Sequence, residues 1–151
     1  MDRLTNTRNK RAFDVAADRL NQPYGLVMID MNNLKEINDT HGHEKGDIYL
    51  KNLCQMIWRS FRHSTVYRVG GDEFIVVLEG DDCAAREALI RAIKETFRQT
   101  QNDESLPPWE RVSAAVGCAV YDPRRDHGAG DVLKRADAEM YRNKREIKGI
   151  Q

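Results

Sequence analysis

This sequence of 151 residues lacks any apolar run longer than a strand, and it has no excess of charge of either sign. The missing long run excludes a transmembrane helix, and no signal peptide opens the chain, so we expect a cytoplasmic protein without membrane contact. Lysine plus arginine and aspartate plus glutamate number 24 each, which leaves no overall field to attract nucleic acid. Function must therefore depend on where individual charges are placed.

Cysteine is also scarce in this chain. Cys54, Cys83 and Cys118 are odd in number, far apart and in apolar surroundings. This pattern predicts buried free thiols rather than a disulfide or a metal site, in keeping with a cytoplasmic protein. His41 and His43 flank a glycine in a predicted turn, where loop punctuation is a better interpretation than a metal pair.

The apolar pattern predicts a single α+β domain over residues 1–151. An amphipathic helix is expected over residues 8–20, and a buried strand over residues 24–29 ends at Asp30. Asn32 or Asn33 can cap a short helix that runs through Asn38. The elements that follow are a helix around residues 50–61, strands over 65–69 and 74–78, a helix from Asp81 or Asp82 to about Gln99, and a strand over 112–121. Asp131 opens the last helix. The residues of that helix expected to face inward are Leu133, Ala136, Met140 and Tyr141.

Without its flanking helices, this order is β-α-β-β-α-β, a ferredoxin-like core with an antiparallel central sheet. The right-handed crossover makes the first two strands point the same way, so the end of the first strand and the central hairpin turn share one sheet edge. Asp30 should therefore converge there with Asp72 and Glu73, which follow a Gly-Gly pair in the turn. Three carboxylates repel one another unless a cation lies between them, and oxygen ligands alone indicate Mg²⁺.

Five ordered segments of the chain resemble the catalytic GGDEF domain of diguanylate cyclases. The signature itself is Gly-Gly-Asp-Glu-Phe at residues 70–74. Similar matches cover D-x-L-T and N-R-R at residues 2–5 and 9–11, D-x-D-x-F-K-x-I-N-D at 30–39, G-H-x-x-G-D at 42–47, and A-D-x-A-L-Y-x-A-K at 136–144. A pentapeptide alone is weak, whereas five segments at compatible spacings identify the chain as a member of this family.

The resemblance implies a reaction in which two GTP molecules condense to cyclic di-GMP and two diphosphates. Each of two copies of the domain holds one GTP, so a transient or enforced homodimer is implied. Asp30, Asp72 and the Met31 carbonyl would hold Mg²⁺ or Mn²⁺ against the phosphates, and Glu73 would share the ion. Asp72 and Glu73 are the catalytic candidates. Asp72 is also the candidate base for the 3′-hydroxyl, although the roles of tight ligand and efficient base compete.

The resemblance assigns guanine selection to Asn38 and Asp47. The Asp47 carboxylate can accept hydrogen bonds from guanine N1–H and the 2-amino group, and the Asn38 amide can both donate and accept. Such a pocket favours GTP, because adenine would leave the carboxylate without partners. The alternative interpretation is structural, with Asn38 as a helix cap and Asp47 as the N-cap of the following helix.

The predicted phosphate contacts are basic side chains and backbone N–H groups. The N–H groups of Asn33 and Leu34 stand at a predicted helix N-terminus, and Lys35 follows them. Lys144 and Lys148 are spaced i, i+4 on the last helix, so both can reach one polyphosphate. Exposed lysines on a terminal helix are more often only solvated, and the family resemblance alone favours a binding role.

The chain also departs from the family pattern. Asn32 replaces the second Asp of its block and Leu34 replaces the Phe, Asn6 and Thr7 replace a Gly-Leu pair, and Lys148 stands near an expected Arg. The family's inhibitory R-x-x-D motif falls on residues 61–64, which are Phe-Arg-His-Ser, so we expect no inhibitory site. The start of the chain on the first motif suggests a domain excised from a longer sensor protein, mainly monomeric and slow by itself.

Two other functions remain open at this stage. The departures fit a degenerate GGDEF domain that binds GTP and regulates without turning it over. The fold and paired carboxylates also suit a palm-type polymerase fragment. The balanced charge and the lack of a basic-aromatic stripe count against a template groove.

Overall fold

The computed structural model describes residues 2–149. Met1, Ile150 and Gln151, which the predicted domain of 1–151 includes, lie outside the described residues. The strands are Arg8–Asn9 (β1), Gly25–Met31 (β2), Thr65–Arg68 (β3), Glu73–Leu78 (β4) and Ala114–Val120 (β5). The helices are Lys10–Ala17 (α1), Leu34–His41 (α2), His43–Ser60 (α3), Gly80–Ala84 (α4), Arg86–Gln101 (α5) and Ala129–Ile147 (α6), with a 3-10 turn at Pro108–Glu110.

The five strands form one mixed sheet in the order β1-β3-β4-β2-β5. Strand β2 runs antiparallel to both β4 and β5, and β3 runs antiparallel to β4, so β2 and β3 point the same way. This order is the ferredoxin-like arrangement that the sequence predicts. Strand β1 adds a short parallel pairing to β3 that the sequence analysis did not predict.

Helices cover the central strands on both faces. Along β2, Val27 and Ile29 pack into a cluster with residues of α3 and α5. Leu26 and Met28, which alternate with them, pack into a second cluster with α1 and α6. Because successive side chains of a strand point to opposite faces, β2 is buried on both sides. Asp30 continues the second series, so it emerges on the α6 face at the end of that strand.

Helix α6 lies unusually close to β5. A side chain built on Gly117 would place its Cβ 2.2 Å from Ala136 O and 2.2 Å from Met140 N, so only glycine permits this approach. Two side chains of α6 also bond to β5: Val116 N donates to Asn143 Oδ1 at 2.8 Å, and Arg135 Nη2 donates to Val120 O at 2.8 Å. These contacts fix where α6 stands along the sheet.

Several predicted elements need correction. The helix predicted over residues 8–20 spans Lys10–Ala17, because Arg8–Asn9 pair with β3 and the Asn9 side chain accepts from Ala12 N as the N-cap. The helix predicted from Asp81 or Asp82 is divided into α4 and α5, and neither acid is its N-cap. Asp82 is instead buried and accepts hydrogen bonds from His63 N and Ser64 Oγ.

The last helix differs from prediction in two details. It begins at Ala129, so Asp131 lies in its first turn, where its carboxylate accepts from His127 N at 2.7 Å. Ala136 and Met140 are buried as predicted, but Tyr141 is 56% exposed. Successive side chains of a helix point in different directions, and Tyr141 projects to the solvent side of the face that Met140 buries.

Two further expectations concern the cysteines and the membrane. All three cysteines are free, with Cys54 and Cys83 buried and Cys118 partly buried. Burial raises the pKa of the Cys54 thiol to about 12 and that of Cys118 to about 11, which keeps both protonated at neutral pH. Across residues 2–149, the helices are too short or too polar to span a bilayer.

Candidate active site

The end of β2 and the start of β4 meet at one sheet edge. Asp30 is the register partner of Glu73, and Met31 N donates a hydrogen bond of 2.8 Å to Asp72 O. The carbonyl that accepts this hydrogen bond belongs to Asp72, the residue that follows the Gly-Gly pair. Residues some forty positions apart in sequence are therefore neighbours, through the crossover that the fold supplies.

Burial and the neighbouring Asp30 carboxylate disfavour the ionised forms of Asp72 and Glu73. Partial burial raises the pKa of Asp72, and the nearby Asp30 carboxylate raises it further. Burial likewise raises the pKa of Glu73, with additional contributions from Asp30, Asp72 and Asp137. Desolvation and like charges both penalise a carboxylate. A cation placed here would relieve the repulsion.

The chain itself supplies one such cation. Lys144 Nζ donates to Asp30 Oδ2 at 2.8 Å, with side chains that are 28% and 13% exposed. This hydrogen bond, together with the charges of Asp30 and Asp72, raises the pKa of Lys144. The ammonium is therefore charged at neutral pH and fixed on a carboxylate near the end of β2.

The oxygen donors at this edge suit a hard divalent ion. Asp30, Asp72 and the Met31 carbonyl are the groups that could hold it, with Glu73 adjacent. Within residues 2–149, no group of three or more His, Cys, Asp or Glu side chains is arranged to hold a metal ion. An ion bound by so few side chains needs further oxygens, and nucleotide phosphates commonly supply them to Mg²⁺.

A cleft of about 420 Å³ opens beside Asp72 and contains most of the predicted phosphate contacts. The predicted residues that line it are Met31, Asn33, Leu34, Lys35, Asp72, Lys144 and Lys148. Five further lining residues were not predicted to bind anything: Asn32, Glu36, Gln101, Ser113 and Ile147. The first strand, the hairpin turn and the last helix therefore converge on one space.

The loop between β2 and α2 is held by a hydrogen-bond chain rather than by a side-chain cap. Asn33 precedes α2 in a left-handed conformation, with φ of 67°, and makes no side-chain cap. Asn32 Nδ2 donates to Ser113 Oγ at 2.9 Å, and Ser113 Oγ donates to Gln101 Oε1 at 2.8 Å. Asn33 therefore occupies the predicted N-cap position without the predicted side-chain bond, and the Asn32 amide is directed to Ser113, the residue before β5.

The two predicted guanine-binding residues lie on α2 and α3, outside the lining of this cleft. Asn38 is inside α2, and Asp47 is an exposed residue inside α3, which begins at His43. The structural alternative of helix capping is therefore wrong for both. A Cβ at Gly46 would lie 1.7 Å from Asn38 Oδ1, so the Asn38 amide rests on the glycine that precedes Asp47.

The chain matches the family described as Diguanylate cyclase, GGDEF domain, over residues 1–149. It belongs to the GGDEF family. The chain is 32% identical to diguanylate cyclase DosC of Escherichia coli strain K12, over 96% of this chain and 33% of DosC. It is 33% identical to a diguanylate cyclase of Vibrio cholerae serotype O1, over 95% of this chain and 46% of that protein. The chain thus spans less than half the length of these curated relatives.

Solved GGDEF structures have the same fold. The GGDEF domain of DgcB from Caulobacter crescentus, in complex with c-di-GMP, matches with a TM-score of 0.78 at 27% identity, covering 97% of this chain and 90% of that one. The active GGEEF domain of a diguanylate cyclase from Vibrio cholerae matches with a TM-score of 0.72 at 31% identity, covering 93% and 92%. The predicted fold class and family are therefore confirmed.

Arg68 was not among the predicted site residues of this GGDEF domain. Its guanidinium donates to Gly71 O at 2.7 Å and to Gly70 O at 3.3 Å, and it pairs with Asp2 at 3.2 Å. One side chain thus ties the signature turn to the first described residue of the domain. The feature of the sequence that could have indicated this role is a basic residue at the end of β3, shortly before the Gly-Gly turn.

The contact between Gly46 and Asn38 makes a testable prediction for the GGDEF domain. Replacing Gly46 with Ala would force a Cβ into the Asn38 amide and displace it from its present position. If Asn38 hydrogen-bonds guanine, Gly46→Ala should weaken binding of Mg²⁺ and 3′-deoxy-GTP, which cannot condense, by about tenfold. Isothermal titration calorimetry measures the change.

The control is the double variant Asn38→Ala, Gly46→Ala. Truncating Asn38 removes the clashing atoms, so the double variant should bind the analogue as Asn38→Ala does. Equal affinity of Gly46→Ala and the unmodified domain would show that the Asn38 amide does not contribute to nucleotide binding.

Proposed function

We propose that this GGDEF domain condenses two GTP molecules into cyclic di-GMP and two diphosphates, with Mg²⁺ or Mn²⁺ and a second copy of the domain. The observation that carries the proposal is the pairing of Asp30 with Glu73 at the sheet edge, next to Asp72, which lines a cleft together with three lysines. An acidic sheet edge beside a cleft that contains three lysines suits a nucleoside triphosphate with its divalent ion. The names of the relatives support the same activity.

The residues of the cleft have separate proposed roles. Lys35, Lys144 and Lys148 bind the triphosphate, and the N–H groups of Asn33 and Leu34 contact it at the start of α2. Asp30, Asp72 and the Met31 carbonyl hold the divalent ion, which supplies charge neutralisation at the phosphates when bound. Asn38 and Asp47 select guanine from the adjoining helices.

Asp72 is the proposed general base. The 3′-hydroxyl of one GTP loses its proton to the Asp72 carboxylate as its oxygen bonds to the α-phosphorus of the partner's GTP. The bond from that phosphorus to the diphosphate breaks, and the proton passes from Asp72 to solvent. The raised pKa of Asp72 makes it a stronger base than an exposed aspartate. Glu73 shares the ion or assists the transfer.

The condensation needs two nucleotides facing each other, so two copies must bring their clefts together. We propose that the domain works within a longer protein that pairs its copies, in keeping with relatives of which it spans less than half. High local concentration would then compensate for weak association of the domain alone. The absence of an inhibitory site at residues 61–64 remains a prediction.

A second candidate function is GTP binding without turnover. It is favoured by Asn32, whose amide is held by Ser113 at the position where the family pattern has an acid.

One experiment distinguishes the two functions. The domain is fused to a dimeric coiled coil and incubated with GTP and Mg²⁺. We expect cyclic di-GMP and diphosphate in a ratio of about one to two, from the stoichiometry above. Binding of GTP with no cyclic product would establish the regulatory alternative.

A further inference from the structure

Lys144 places an ammonium at the acidic edge. It pairs with Asp30, a carboxylate that the metal would need as a ligand. Its ammonium is 2.8 Å from Asp30 Oδ2, and Asp30 is the more buried partner of the pair. Lys144 also lines the cleft where the triphosphate would lie, together with Asp72 and Lys148. One ammonium therefore stands between the carboxylates and the phosphate-binding surface.

The position of Lys144 is fixed by the contacts of the helix that carries it. Asn143, the preceding residue, is 7% exposed and accepts a hydrogen bond from Val116 N. Gly117 allows the backbone of α6 to approach β5 closely between Ala136 and Met140. Helix α6 cannot slide along the sheet without breaking these contacts, so the ion pair follows from the fold and is more than a chance surface encounter.

We propose that Lys144 is a resident counter-ion that keeps free divalent metal off Asp30 and releases Asp30 only to a metal that arrives with a triphosphate. The inference deepens the proposed function and rests on its assignment of Asp30 as a metal ligand. A free divalent ion would have to displace the ammonium and then remain beside it, at a cost in repulsion. A metal bound to GTP brings phosphate oxygens, which accept hydrogen bonds from the displaced ammonium.

The exchange conserves the pairing of charges in the cleft. Before binding, Lys144 compensates one of the three carboxylates at residues 30, 72 and 73. After binding, the divalent ion compensates the carboxylates and the lysine compensates the triphosphate, so no ammonium is left unpaired. The metal and the nucleotide should therefore bind together. Removal of the lysine charge should strengthen the binding of free metal and weaken the binding of metal with nucleotide.

The test uses Mn²⁺ as the probe, with electron paramagnetic resonance to measure free Mn²⁺ in the absence of nucleotide. Lys144→Gln should bind Mn²⁺ at least about tenfold more tightly than the unmodified chain, because competition and repulsion are both removed. The same variant should bind Mg²⁺ with 3′-deoxy-GTP about tenfold more weakly, since one charged phosphate contact is lost. Calorimetry measures the second quantity.

Two variants control for general charge effects. Lys148→Gln removes a like charge from the same cleft, and it should leave the affinity for free Mn²⁺ within about twofold while weakening the nucleotide. Lys144→Arg keeps a cation at the carboxylate and should keep Mn²⁺ binding weak. Thermal unfolding of each variant verifies that the domain is folded.

The outcomes separate this inference from the proposed function. Unchanged or weaker Mn²⁺ binding by folded Lys144→Gln overturns the inference, as does equal tightening by Lys148→Gln. Failure of both proteins to bind Mn²⁺ overturns it too, because the lysine would then not be what excludes the metal. Tighter Mn²⁺ binding supports it even if a forced dimer makes no cyclic di-GMP, in which case only the proposed function fails.

Discussion

Asp72→Asn should reduce the formation of cyclic di-GMP by an enforced dimer by about 10³-fold or more. The substitution keeps the size of the side chain but removes its negative charge and its ability to take a proton. Both proposed roles of Asp72, metal ligand and base for the 3′-hydroxyl, are lost together. The initial rate of product formation with GTP and Mg²⁺, followed by liquid chromatography, gives the magnitude.

The matched control is Asp14→Asn, an equivalent change at an exposed position of α1. Its rate should equal that of the unmodified dimer within about twofold, as expected for a surface substitution away from the site. A rate above about a tenth of normal for Asp72→Asn would rule out an essential role for this carboxylate.

The same substitution should not destabilise the nucleotide-free domain at neutral pH. Asp72 has a raised pKa in the folded protein, so the folded state binds its proton more tightly than the unfolded state does. Its contribution to the free energy of unfolding therefore becomes unfavourable as the pH rises through the unfolded and then the folded pKa. At pH 7 the amide removes that penalty. Equal or greater resistance to urea, beside lost activity, would identify a functional rather than a structural residue.

Gly117→Ala should give the largest loss of stability, about 3 kcal/mol in the free energy of unfolding. The added methyl group would meet backbone atoms of Ala136 and Met140 at 2.2 Å, and backbone cannot rotate away as a long side chain can. Helix α6 must then move off β5, which also withdraws Lys144 from Asp30. Urea unfolding followed by circular dichroism measures the change in stability.

Gly130→Ala is the control within the same helix. A Cβ at Gly130 has no atom within 4 Å and the residue does not have positive φ, so the change should leave stability equal or raise it by about 0.5 kcal/mol. If the two variants unfolded at the same urea concentration, the close approach of α6 to β5 would not be a constraint on residue 117.

The sequence was sufficient for the central strands and for the edge where the acids meet. The short apolar runs of β2 and β4 and the Gly-Gly turn indicate strands and a hairpin, and the handedness of the crossover then places Asp30 near Glu73. The pairing of β1 with β3 was missed because two residues are too few to show any period. The left-handed backbone of Asn33, whose side chain makes no capping bond, was missed because its residue type favours a side-chain cap.

The contact of Lys144 with Asp30 could not be predicted in the same way. The two residues are 114 positions apart, and no local period or spacing relates a lysine on the last helix to the first long strand. It depends on the position of α6 along β5, which Gly117 and Asn143 determine through tertiary contacts. The i, i+4 spacing indicated only that Lys144 and Lys148 share a helix face.

The two bonds from α6 to β5 have a consequence for how molecules of this domain meet. Strand β5 stands at one border of the sheet, where an unpaired strand offers a template for another chain. At this border Val116 N–H and Val120 C=O are already satisfied by Asn143 and Arg135. An incoming strand would have to displace both side chains before it could pair along that border. Fibril-like growth from this border is thereby disfavoured, even when local concentration is high.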